Sequence, residues 1–493
     1  MITYQDFLQV GQDVNHIMAF IHSAIFQHKA SNMYKTAVVA DEYDKRRNRT
    51  IVNYQKLLYT ISGKAVPDNF SANYKLCSNF LNRFTVQENQ YLLGNGVTWN
   101  EESTGEKLGK DFDTRLQELG KYALTHGVAF GFFNLDKVQV FKLTEFVPLV
   151  DEEDGAMKAG IRFWQIDDSK PLRATLYELD GYTDFIWNRR DENGKIAGEV
   201  LHDKRPYKVT VTYSEAEGME IYDGENYPSF PIIPLWGNPH HQSELVGLRE
   251  GIDAYDLIKS GFCNTVDEAS LVYWTISNAG GMDDIDLVEF VEHMKTVRAA
   301  VTDGNAEAHT LEPPYGARET VLERIRNDLY DDAMALDTKK ISGGAATATQ
   351  IRAAYEPLNN KTDQFEYCVI DFIDGLLYVA GIDDSPTFTR SLIVNTQEEI
   401  NNVITASEYF DQDYTTRKLL TLLGDGDLAD DMLERMDAEN MERMGNSFGR
   451  GEEKEDMSEF EEEPEVEELE DFEDDSDNEI DRMFNELLAE LEG

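Results

Sequence analysis

The sequence predicts an α+β fold in which helical and strand segments are segregated along the chain. Three observations carry that expectation. Apolar residues recur at helical spacing before residue 100 and in long stripes after residue 243. Short β-rich runs divided by turn dipeptides fill residues 128–230. From Gly449 onward the composition turns overwhelmingly acidic.

At the start, Val14, Ile17, Met18 and Ile21 lie on one helical face. Asn73 to Leu93 repeats the pattern with Leu76, Phe80, Phe84 and Tyr91, and closes on Gly94-Asn95-Gly96, a helix stop and turn. Between them runs Lys45-Arg46-Arg47-Asn48-Arg49, basic in an acidic chain. A solvated face, an intersubunit ion-pair partner and a DNA contact all fit it. Val138 to Phe141, Ile161 to Trp164, Ala174 to Tyr177 and Val209 to Tyr213 read as strands. Asp180-Gly181, Asn193-Gly194 and Asp223-Gly224 read as the turns of an antiparallel meander. Pro231 to Pro239 is an apolar, proline-broken lead-in to a helix that Ser243 can cap.

That helix carries Leu245, Leu248, Ile252 and Tyr255 along one stripe and ends near Ser270. A compact mixed segment follows. Val272 to Ile276 is β-like, Ile285 to Met294 reads as an amphipathic helix, and Ala299–Val301 and His309–Leu311 are candidate paired strands, with Pro313-Pro314 closing the unit. A second long helix spans Arg318 to Asp337, with Leu322, Ile325 and Leu329 on one face. After a polar break at 338–344, a third runs from Ala345 to Ala380. Pro357 inside it removes one backbone hydrogen bond, so a kink is expected there. Residues 386–394 suggest a returning strand, and 396–445 are helical.

Of 493 residues, 45 are Lys or Arg and 95 are Asp or Glu, a formal net charge of −50. Such a surface repels nucleic-acid phosphate, which disfavours a static DNA binder. Cys77, Cys263 and Cys368 are far apart and odd in number, so neither a disulfide framework nor a zinc site is expected. Met1 to Val10 lacks a basic segment followed by an apolar run, and no stretch approaches the ~18 apolar residues of a spanning helix. Neither a signal peptide nor a membrane partner is therefore expected. No GxxxxGK[ST] occurs. His240-His241 lacks a metal-site context, and Asp283, Asp284 and Asp286 read as charge at the start of a helix more readily than as a nuclease magnesium site. No enzyme activity and no cofactor is expected.

The order of segments resembles the tailed-phage portal family, and local motifs resemble the branch typified by portals of Gram-positive siphophages. Phe80 to Gly96 is similar to that branch's N-terminal signature. Gly251-Ile252-Asp253-Ala254-Tyr255-Asp256 with Ser260 resembles its stem-entry motif, and Ser342-Gly343-Gly344-Ala345 its Ser-Gly-x-Ala motif beside the tunnel. The resemblance covers about residues 30–440. It implies a portal fold with a β-rich wing (1–242, with 345–400 as tunnel helix and returning wing), a helical stem (243–270 and 318–337), an α/β clip (271–317), a tunnel loop (338–344) and a helical crown (401–448). The acidic tail (449–493) would follow. It also implies a homo-oligomeric ring, typically a dodecamer, at one capsid vertex, passing double-stranded DNA in packaging, retention and ejection and joining head to tail. Expected partners are the packaging motor (terminase), head-completion adaptor proteins, and the major capsid and scaffolding proteins. Expected locations are the virion and, during assembly, the host cytoplasm.

A channel wall should let DNA slide, and a mostly acidic wall avoids the trapping that many phosphate contacts would cause. Lys339 and Lys340, beside Ser342, Gly343 and Gly344, are candidates for a positive belt that centres the duplex. Complementing the preceding helix C-terminus is an equally simple role for them. The glycines are either a point where adjacent helices shift or a plain helix stop. The tail holds 22 Asp/Glu against three basic residues. At its end Ile480, Met483, Phe484, Leu487, Leu488 and Leu491 form one stripe, on a helix that is marginal alone and either folds on a partner or packs back on its own ring. The tail also raises an alternative: an acidic histone-chaperone-like or DNA-mimic protein.

Overall fold

The structure is a computed structural model that describes residues 2–59, 64–69, 71–167, 169–187, 198–214, 219–269, 274–275, 307–308, 315–340, 348–391, 400, 403–423, 426–430 and 432–436. Residues 1–395 form one unit and 396–493 another.

The first unit opens with four helices, α1 (Tyr4–Val10), α2 (Val14–Ala30), α3 (Asn32–Asp44) and α4 (Arg49–Val52). Polar caps start three of them. Thr3 and Asp6 form a reciprocal capping box, Asp13 accepts from the amides of Asn15 and His16, and Ser31 accepts from that of Tyr34. A small ribbon, β1 (Leu57–Tyr59) with β2 (Ala65–Pro67), precedes α5 (Phe80–Leu93). Then come β3 (Val97–Trp99), α6 (Glu102–Leu108) and α7 (Phe112–His126). Gly127 ends α7 in the left-handed conformation, φ 93°, where a side chain would be strained.

The strand region runs β4 (Val128–Asn134), β5 (Lys137–Lys142), β6 (Phe146–Val150), β7 (Met157–Trp164), β8 (Leu172–Glu178), β9 (Gly181–Trp187), β10 (Gly198–Arg205), β11 (Lys208–Ser214), β12 (Met219–Glu225) and β13 (Ile232–Trp236). Strands β6 to β10 make an antiparallel meander that holds the expected strands at 161–164 and 174–177, with Asp180-Gly181 turning between β8 and β9, whereas the strands expected at 138–141 and 209–213 fall in other sheets. Strands β11 and β12 make a separate two-stranded hairpin, and β13, β4 and β5 a three-stranded sheet in that order.

Beyond lie α8 (Arg249–Ala269), the short pair β14 (Trp274–Thr275) and β15 (Glu307–Ala308), α9 (Tyr315–Asp332), α10 (Ala348–Ala380) and β16 (Pro386–Phe388), which pairs with β3. In the second unit the principal described helix is α11 (Gln412–Leu423). Ala429 and Leu433 are buried there, whereas Tyr409, Phe410 and Tyr414 are exposed.

Three larger cores organise the first unit, beside a small one of Tyr91, Leu336, Tyr355 and Leu358. The largest packs α7 and α10 on the β13-β4-β5 sheet through Leu119, Phe130, Phe141, Phe365 and Phe372. A second lays α1 and α2 on the meander through Ile21, Ile25, Leu149, Ile161 and Leu176. The third joins α3 and α5 to α8 and α9.

Several boundaries depart from the sequence expectation. Asp223-Gly224 is no turn. Both residues lie inside β12 opposite Thr210 and Val209, and a Cβ on Gly224 would sit 2.0 Å from the Lys208 carbonyl oxygen, so this glycine serves close strand pairing. Pro231 to Trp236 is no mere lead-in, because Ile232–Trp236 is a strand. Pro234 is tolerated because β13 ends its sheet. Residues 73–79 precede α5 outside any helix or strand, and among the described residues the returning strand covers Pro386–Phe388. The β-like run near 274 pairs with Glu307–Ala308. Asn193-Gly194, the amphipathic helix and acidic trio of 283–294, the candidate strands 299–301 and 309–311, and the tail with Ile480, Met483, Phe484, Leu487, Leu488 and Leu491 lie outside the described residues.

Candidate functional site: the helix roots and the anchored break

The first of the two long helices that carry the predicted stripes begins later than the sequence suggests. Residues 243–248 form turns, in which Ser243 Oγ donates to the Thr125 carbonyl (2.5 Å) and accepts from the Leu245 amide (3.1 Å), and α8 proper starts at Arg249. The second starts and ends earlier than predicted, at Tyr315 and Asp332. Met334, at φ 52°, reverses the chain just beyond it. The predicted stripes pack at the roots of both helices. Leu245, Leu248, Ile252 and Leu329 are buried with Phe80, Phe84 and Tyr330, and Tyr255 and Ile325 are half-buried against them. Leu322, further along α9, is also half-buried. A Cβ on Gly251 would meet Leu329 Cδ2 at 2.9 Å, so this glycine lets the two helices approach closely.

The Gly251 to Ser260 motif acquires a physical meaning here. Asp253, Asp256, Ser260 and Asn264 fall on one face of α8, and that face clamps the chain before α5. Asp253 accepts from Tyr43 Oη (2.5 Å) and Thr50 Oγ1 (2.7 Å). Asp256, fully buried, accepts from Asn48 Nδ2 and the Ser78 amide (2.9 Å). Ser260 Oγ and Asn264 Oδ1 accept the amides of Leu76 (3.0 Å) and Tyr74 (2.7 Å). Burial raises the Asp256 carboxyl against the pull of these donors. Backbone outside helix and sheet is thus satisfied by side chains.

Between α9 and α10 the chain is tied on both sides of the break. Arg326 makes a two-pronged ion pair with nearly buried Asp337 (2.7 and 2.8 Å), and Gln87 holds both the amide and the carbonyl of Leu336 (3.1 and 3.0 Å). Beyond it, the Lys361 ammonium reaches Glu88 of α5 (2.9 Å), Glu244 ahead of α8 (2.6 Å) and the Ala333 carbonyl after α9 (3.2 Å). Burial works against this cation, but Glu88 and Glu244 outweigh it and hold its pKa above the ordinary lysine range. Burial also lifts Glu88 to about 7, against the pull of Lys361 and with Glu244 adding to the rise. One buried ammonium therefore joins four parts of the chain. Tyr91 adds a stacked contact with Tyr355 (5.6 Å) and a hydrogen bond to Asn359 (2.5 Å).

Lys339 is exposed in the short 3-10 turn Thr338–Lys340, its amide donating to Asp337 Oδ1 (3.2 Å). Six residues separate Asp332, the end of α9, from Lys339, so the lysine does not directly follow that helix terminus. Ser342, Gly343 and Gly344 lie outside the described residues. Helix α10 continues through Pro357, whose exposed position leaves the unpaired carbonyl of Ala353, also exposed, to solvent.

Other singled-out residues resolve into packing. His241 stacks on Trp236 at 3.8 Å. In the basic run, Arg49 pairs with Glu42 (2.7 and 2.8 Å) and Asn48 is buried against Asp256. The three cysteines are free thiols. Among the described residues no group of three or more His, Cys, Asp or Glu could hold a metal, and no helix is long and apolar enough to cross a membrane.

What these features define is a structural subunit, with two long helices rooted in a mixed α+β body and a break held firmly from both sides. Its family follows from comparison with known proteins. The sequence profile of the phage portal proteins, SPP1 Gp6-like, matches residues 22–445, and the chain belongs to that family. It is 22% identical over 335 residues to the portal protein of Clostridium phage phiCD119, covering 62% of this chain and 71% of that one. It is 23% identical over 391 residues to the portal protein of Bacillus phage SPP1, covering 71% and 73%. The match spans the body and stops before the acidic tail, so the chaperone or DNA-mimic alternative finds no support. This is a phage portal protein for DNA packaging, a structural component of the virion.

Proposed function

We propose that this chain assembles into a ring at one capsid vertex, as a dodecamer, and that double-stranded DNA moves through the ring during packaging, retention and ejection. The terminase would act on the clip (271–317). Head-completion adaptors would follow it there, and the major capsid and scaffolding proteins would surround the wing (1–242 and 345–400). Residues 243–270 and 318–337 are the stem, 338–344 the tunnel loop, 401–448 the crown, and 449–493 an acidic tail with a partner-seeking terminal helix. Assembly takes place in the host cytoplasm.

The observation that carries this reading is the anchored break. Asp337, Leu336 and Lys361 fix both sides of a short polar segment, so it holds its place while a strongly charged polymer slides past. Lys339 is exposed in a chain of charge −50. Repeated around a ring, Lys339 and Lys340 make a belt of positive charge that centres the duplex without the many contacts that would trap it. Replacing both with Glu leaves ring assembly intact and impairs packaging or retention. Normal titres of filled virions from that variant would remove the tunnel assignment.

A further inference from the structure

Two strand elements are incomplete within one copy of the chain. Among the described residues strand β5 ends the β13-β4-β5 sheet and pairs only with β4, so its outer edge presents backbone donors and acceptors that no described strand takes up. Alongside that edge runs an open groove of about 840 Å³, lined by five consecutive residues of β5, Lys137 to Phe141, together with the corner between α6 and α7 and Arg162. The other element is the hairpin β11–β12, seven residue pairs long, which among the described residues joins no other sheet. A two-stranded hairpin alone is marginal in water.

We propose that the hairpin of a neighbouring copy lays β12 along β5, extending the three-stranded sheet across the subunit boundary. The proposal rests on the ring reading above.

Charge favours a second copy as the occupant. Two chains of −50 repel wherever their surfaces are acidic. The groove is different, because its four cations, Lys110, Arg115, Lys137 and Arg162, balance its four carboxylates. Arg162 adds a fixed positive charge to the groove: its guanidinium lies over Phe141 (4.4 Å), near Trp164 (5.1 Å), and hydrogen-bonds the Tyr177 side chain. Strand β12 ends in exposed Asp223 and Glu225, which are suited to these cations. Main-chain pairing supplies the contact and the charges set its register.

The hairpin closes where the Tyr207 amide meets Asn226 Oδ1 (3.0 Å), so residues 208–225 can be replaced by a short Gly-Ser turn. Hydrogen exchange is then compared between full-length particles and the shortened chain. In full-length rings the outward amides of Lys137–Phe141, every second residue, exchange at least tenfold more slowly than in the shortened chain. Equal exchange in the two, whether both protected or both open, overturns the proposal while leaving the ring intact. A full-length chain that stays monomeric removes the ring reading and the neighbouring copy with it. Should the excision misfold, Ile221→Pro, which breaks only the hairpin ladder, serves as the second variant with the same expected loss of protection.

Discussion

Replacing Lys361 with Met removes one ammonium and keeps most of the side-chain volume. Glu88 and Glu244 then face each other without a cation, Glu88 with only 2% of its side chain exposed. Two like charges cannot both stay ionised there, so one carboxyl takes up a proton. Glu88 is the group to do so, since burial already lifts it to about 7 from an ordinary 4.5. Keeping it neutral costs ~1.4 kcal/mol for every pH unit above the unfolded value. The parent chain already carries that cost up to about pH 7, so the pH-dependent part of the variant's loss is absent at pH 6 and reaches about 1.4 kcal/mol at pH 8. The sign follows from linkage. A carboxyl raised by folding contributes stability that is full below its unfolded pKa and is lost as pH rises, so the deficit of the variant grows with pH. Lys361 itself is raised above 10.5, so its contribution in the parent chain is constant between pH 6 and 8. Urea unfolding followed by tryptophan fluorescence at the two pH values measures the difference. A loss under about 1 kcal/mol at pH 8, or one that does not change with pH, would refute the buried-triad reasoning.

Three other outcomes are expected. Gly251→Ala pushes α8 from Leu329 and destabilises the subunit by about 1–3 kcal/mol in the same unfolding assay, whereas Gly316→Ala, in open space on α9, costs nothing measurable. Asp256→Ala strands the Ser78 amide and weakens the hold on Asn48, a loss of about 2 kcal/mol, and hydrogen exchange quickens at residues 74–78. Deleting residues 478–493 spares rings made in isolation and lowers incorporation into procapsids, counted as portal copies per particle. Unchanged incorporation counts against a docking helix.

Much of this architecture was legible in the sequence wherever one period dominates. The stripe of Leu245, Leu248 and Ile252 is regular enough to announce a buried face, and the β-rich runs at 161–164 and 174–177 announce the meander. Legibility failed where local chemistry was overridden by neighbours. Helix α7 went unread although Leu116, Leu119 and Ala123 keep helical spacing. Its central Gly120 weakens the pattern, and the reason for that glycine is tertiary, since a Cβ there would lie 2.3 Å from Asn89 Oδ1. Pro234 hid a strand because an edge position cannot be seen in sequence. At the site, the motif around Asp253 and Asp256 was visible as a pattern, but its work as a backbone clamp depends on residues about 180 to 210 positions away. Glu88, Glu244 and Lys361 look like ordinary surface charges one at a time. Only the fold brings them together and takes them out of water.

The central claim is that this chain is the subunit of a portal ring, and the mass of the intact assembly tests it most directly. Native mass measurement of the purified full-length protein should give a closed oligomer of the 56.2 kDa chain, twelve copies on the present account. A monodisperse monomer at micromolar concentration would contradict it.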